Sequence, residues 1–108
     1  MPTVELDGRR ITNWPAFHNE SQLCFGFPDI YGRNQDAWID CLSGLRDDDG
    51  MTAFVLGADE TLEVVLHHAA TLRQRAPRIL RALEENIAEI NQRYVEDGAK
   101  PALVLRLR

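Results

Sequence analysis

Three short apolar stretches punctuate the chain of 108 residues: TVEL at Thr3–Leu6, MTAFVL at Met51–Leu56 and PALVLRL at Pro101–Leu107. Each has the length and aliphatic character of a strand. Hairpin neighbours are joined by roughly two to five residues, whereas more than forty residues lie between each stretch and the next. Those intervals carry helical patterns. Strands separated by helices predict right-handed crossovers, hence an α/β fold with a small three-stranded parallel sheet flanked by helices. The length suits a single domain over residues 1–108, and 44% hydrophobic with 27% charged residues is an ordinary globular composition.

Punctuation places the helices. TNWPAFHNESQLCF offers Thr12 and Asn13 as caps, with Pro15 tolerated in the first turn. GFPDIYGRN follows as a loop broken by Gly26, Pro28 and Gly32. Asn34 caps a helix that should run to about Ser43 and stop at Gly44. At 100° per residue, Trp38, Cys41, Leu42 and Leu45 gather on the core side of that helix. Asp36, Asp40 and Ser43 gather on the other, with Ile39 at the edge of the polar side. Further on, Asp59 is expected to cap a helix carrying Leu62, Val65, Leu66, Ala69 and Leu72, which Pro77 breaks or follows with a new helix. The next helix shows a clean stripe of Leu80, Leu83, Ile87, Ile90 and Tyr94 and ends at Gly98.

Charge is distributed unevenly. Between Asp29 and Asp49 lie six acids and two bases, which is nearly all of the net charge of −5. Thr71–Ala82, by contrast, holds four arginines and no acid. An acidic pole of this kind attracts cationic partners and repels nucleic acid. No apolar run reaches the roughly 20 residues of a membrane span, and MPTVELDGRR lacks the order of a signal peptide. A cytoplasmic protein with no membrane or nucleic-acid partner, monomeric when free, is the expectation. Cys24 and Cys41 are too few for a disulfide framework and read as reduced thiols.

A like-charge pair at i,i+4 costs a helix a few tenths of a kcal/mol. Asp36 recovers something comparable from the helix dipole, but Asp40, beyond the first turn, does not. The pair therefore reads either as a plain solvated face or as a binding face. Acid–base catalysis by the two carboxylates is disfavoured, because one exposed helix face gives no pocket to separate their pKa values. DDDG lacks the alternating ligands of a calcium loop. His67 and His68 are adjacent and should point to different faces of a helix, and His18 stands alone. No phosphate loop or nucleophile motif is present. Neither cofactor nor metal nor catalytic residue is expected.

PDIYGRNQDAWIDCLSG, Pro28–Gly44, resembles the barstar family of intracellular ribonuclease inhibitors. Pro28, Tyr31-Gly32, Asn34, Asp36-Ala37, Asp40-Cys41-Leu42 and Ser43-Gly44 carry the likeness, and DGRRI upstream resembles the family's first strand and turn. The resemblance implies a non-catalytic protein whose segment Ile30–Gly44 plugs the active site of a basic, secreted ribonuclease. Asp40 would occupy the place of a substrate phosphate, with Asp36 as its companion. Ile30, Tyr31, Gly32, Asn34, Asp36, Ile39, Asp40, Ser43 and Gly44 are the implied partner-binding residues. Three departures stand out. Ile30 replaces a frequent aromatic, Ile39 and Leu45 replace tryptophans of the founding member, and either Arg93 or Glu96 falls where the family has a further acid. A binding or immunity module aimed at a different basic protein is the alternative.

Overall fold

In the computed structural model, which describes residues 1–108, three strands form one parallel sheet in the order β1 (Thr3–Asp7), β2 (Leu62–His67), β3 (Leu103–Leu107). The register pairs Val4 with Val64 and Leu6 with Leu66, and on the other side Leu62 with Leu103 and Val64 with Leu105. These residues make the inner row of the sheet. The outer row is mostly polar: Glu5 bonds His67 at 2.9 Å and Glu63 bonds Arg106 at 3.2 Å, with Val65, only 5% exposed, between Glu5 and Arg106 in register. Parallel sheets are usually covered on both faces. Here the period-two alternation leaves one face to solvent, and the helices cover the other.

The expectation of a strand at Met51–Leu56 fails. Gly44–Thr61 has no regular element, and only Leu56 of the apolar run is fully buried, with Val55 55% exposed. The second strand is LEVVLH, the stretch expected to be helical. Leu62, Val65, Leu66, Ala69 and Leu72 fit a helical period because a strand and the helix after it happen to present aliphatics at that spacing. What decides is pairing on both sides: LEVVLH is central in the sheet and two residues at its core are β-branched. Asp59 accordingly caps nothing; it pairs with Lys100 at 3.3 Å. His67 ends β2 and His68, at φ +55, precedes α3 (Ala69–Arg75), so the two histidines do not share a helix.

The other elements stand close to their expected places. α1 (Trp14–Phe25) begins where Asn13 accepts from the Ala16 amide at 2.9 Å. Pro77 both ends α3 and opens α4 (Pro77–Glu96), since its ring disfavours helical backbone at Ala76, which adopts φ −145 and ψ 68. Leu80, Leu83, Ile87, Ile90 and Tyr94 are all buried, as the stripe requires. The core centres on Trp38, fully buried, with the rings of Phe17 and Phe25 at 6.0 and 5.7 Å. Cys24 and Cys41 are free; burial pushes the Cys24 thiol up to about 11 and raises that of Cys41, so both stay protonated and unreactive near neutrality. No helix is long and apolar enough to cross a membrane.

Candidate partner-binding site

The loop after α1 turns at Gly26, whose φ of +71 suits glycine and where a Cβ would lie 2.6 Å from that of Ala53. Phe27 then stacks on Phe25 (5.4 Å between centroids) and Tyr31 packs on Phe27 at 4.7 Å. Four polar ties fix what lies between. Gln22 donates to the Pro28 carbonyl at 3.1 Å, and the Tyr31 amide donates to the same carbonyl at 2.9 Å. The Tyr31 hydroxyl meets His18 Nδ1 at 2.6 Å inside the core. Arg33, at φ +56, folds back on α1 and donates to Gln22, Asn19 and the Pro15 carbonyl. With its neighbours held this way, Ile30 is presented to solvent, 81% exposed.

α2 (Gln35–Ser43) starts at Asn34, whose Oδ1 accepts from the Ala37 amide at 2.8 Å. Its inner side is anchored by Trp38, whose indole donates to Ser21 Oγ at 3.0 Å. Its outer side carries Asp36, which is exposed and unpaired, and Asp40, whose side chain is 72% exposed. The helix ends against α4. Tyr94 Oη donates to the Ser43 carbonyl at 2.7 Å and accepts from the Leu45 amide at 3.1 Å. A Cβ at Gly44 would meet only the carboxylate of Asp49, an exposed side chain that can swing aside. Beyond Gly44, Arg46 lies over the Tyr94 ring and donates to the carbonyls of Glu60, Lys100 and Pro101, tying the long connection to the edge of the sheet.

Of the expected binding residues, the structure presents Ile30, Gly32, Asn34, Asp36 and Asp40 to solvent, with Ser43 half-buried. Tyr31, Ile39 and Gly44 are buried. Ile39, expected at the edge of the polar side, is only 6% exposed. The reason is the stripe Gln35–Ile39–Ser43: Asn86 reaches Gln35 at 3.4 Å and Arg93 reaches Ser43 at 3.3 Å, so α4 covers the residue between them. Tyr31 and Ile39 thus shape the face from beneath; their side chains do not reach its surface. Of Arg93 and Glu96, it is Arg93 that faces the site, 3.4 Å from Asp40, while Glu96 bonds Gln92 on its own helix. Glu89, which sequence reasoning passed over, sits one turn before Arg93 and 3.7 Å from it. Its i,i+4 spacing to Arg93 was the available signal. No three His, Cys, Asp or Glu side chains converge on a common point.

A family model described as "Barstar (barnase inhibitor)" matches residues 1–106. The chain belongs to the barstar family. A Bacillus subtilis (strain 168) relative named "Putative ribonuclease inhibitor YrdF" is 43% identical over 47 residues, which cover 44% of this chain and 52% of that protein. The matched stretch therefore spans about half of the relative. A three-stranded parallel sheet with four helices is consistent with the barstar-like fold that the resemblance of Pro28–Gly44 implied.

Proposed function

We propose that this barstar-family protein is an inhibitor of a basic ribonuclease and blocks the active site with α2 and the loop before it. The observation that carries the reading is the pair Asp36 and Asp40, exposed one turn apart on a helix whose Trp38, Ile39, Cys41 and Leu42 are buried against the core and α4. Carboxylates so placed suit a site built to hold phosphates, since guanidinium and ammonium groups bind both through short charge-assisted bonds. The surrounding acidic pole speeds encounter with a cationic target. The held loop lowers the entropy lost on docking. Both carboxylates are solvated on an open helix face with no cleft between them, which suits binding and offers no means of catalysis. The protein would act in the cytoplasm, as a monomer until bound, on a target captured before export.

The buried Ile39 and the arginine beside Asp40 favour one second reading, an immunity or regulatory module of the same fold directed at a basic protein other than a ribonuclease. Titration calorimetry against a barnase-type ribonuclease, with an RNA-cleavage assay alongside, separates the two. Asp40→Ala is expected to weaken binding by about 2–5 kcal/mol, because a buried cation of the target would lose its partner. The family's founding complex is itself a type case behind that range, so the figure is transferred and is no independent prediction. Unchanged binding by Asp40→Ala would remove the mechanism. Binding without loss of RNA cleavage would favour the second reading.

A further inference from the structure

Arg93 stands where a uniformly acidic face would be simplest. Its Nη1 lies 3.4 Å from Asp40 and 3.3 Å from Ser43 Oγ, and its Nη2 lies 3.7 Å from Glu89. The side chain remains 45% exposed. A guanidinium has five N–H donors, and two hydrogen bonds with a looser ion pair to Glu89 leave some of them for solvent. As an exposed ion pair, Arg93 with Asp40 adds little to folding, so its consequence lies in what can dock.

We infer that Arg93 is a specificity-determining residue: it admits targets that set a carboxylate or carbonyl acceptor against it, beside the cation that takes Asp40, and disfavours targets whose positive charge runs on unbroken. The inference rests on the proposed function. At a separation of 3.4 Å, a partner that covers Asp40 also covers Arg93. The covered guanidinium then loses water from its spare donors, which must find acceptors or go unpaired. A target cation arriving at Asp40 meets Arg93 as a neighbour of like charge, and like charges brought together at an interface cost affinity. An acceptor on the target satisfies both conditions at once. The face is therefore a pattern of negative, negative and positive, and the target should carry the complementary one.

A barnase-type basic ribonuclease serves as probe, titrated at low and high salt with the wild type, Arg93→Gln, Arg93→Glu and Asp40→Ala. Affinity should rise in the order wild type, Arg93→Gln, Arg93→Glu, with the last at least about tenfold above wild type and the gain shrinking as salt screens the charges. If wild type holds the probe too weakly to measure, the appearance of binding in Arg93→Glu is the same result. Arg93 variants that stay within twofold of wild type, bind more weakly or never bind overturn the inference. Asp40→Ala is the separate arm. Weakened binding there, with no gain from Arg93 changes, removes the Arg93 assignment alone; no effect of Asp40→Ala removes the site reading and this inference with it.

Discussion

Removing one oxygen atom should show how far the end of α2 depends on α4. Tyr94→Phe keeps the ring, which is buried, and keeps Arg46 over its face at 5.0 Å. It deletes the hydroxyl that donates to the Ser43 carbonyl and accepts from the Leu45 amide. Burial raises the phenol's pKa, so the group is a protonated donor at any pH where the protein would be used. Ser43 is half-buried and its carbonyl can turn to water, but Leu45 is fully buried and its N–H is left without a partner. An unpaired buried donor costs about 1–3 kcal/mol. With no cavity to add, the expected loss is about 2 kcal/mol, or a fall of about 8 °C in Tm for a domain of this size. Urea unfolding followed by circular dichroism should show a lower midpoint and an unchanged m-value. A loss below about 0.5 kcal/mol would mean that the Leu45 amide is satisfied without Tyr94, and the claim that α4 holds the end of α2 would fall.

Two further outcomes concern the loop. His18 is buried, and burial lowers its pKa below the ordinary 6.5, so the unfolded chain binds the proton more readily than the folded one. Its contribution to stability is whole above pH 6.5 and is lost as pH falls from there toward the lowered folded value; His18→Gln should flatten that part of a stability–pH curve, and an unchanged slope would refute the assignment. Arg33→Ala removes the ties to Gln22, Asn19 and Pro15, and the Tyr31 amide should exchange hydrogen about tenfold faster, for bonds worth about 1–1.5 kcal/mol net. Exchange that stays at the wild-type rate would leave the loop to Gln22 and His18 alone.

Much of this architecture was legible in the residues because local chemistry and tertiary structure agree there. Asn13, Asn34, Pro77 and the Leu80–Tyr94 stripe each state a boundary or a face that packing then uses. The middle of the chain was not legible in this way. MTAFVL is as apolar as a strand but pairs with neither open edge of the sheet, whose centre LEVVLH takes between β1 and β3. Strand and loop differ there by pairing, which no local pattern contains. In the candidate site, the exposed aspartates followed from helical spacing alone. The burial of Ile39 did not, because it depends on how closely α4 lies along Gln35–Ser43. Arg93 and Glu89 likewise join the site only through that contact between helices distant in sequence.

The connection from β1 to β2 contains α1, the held loop and α2, so both aspartates of the face lie within a single crossover, while Arg93 reaches them from α4. Thr3 pairs with Glu63 across that span, and closing so long a loop exacts its entropy before any strand contact is made. A nine-residue helix such as α2 is far too short to persist alone in water. The face consequently has no existence as a peptide, and on a ribosome it cannot be completed until β2 and the α4 residues that brace it have been synthesised. A chain cut short of α4 would therefore carry Asp36 and Asp40 in its sequence and still lack the face.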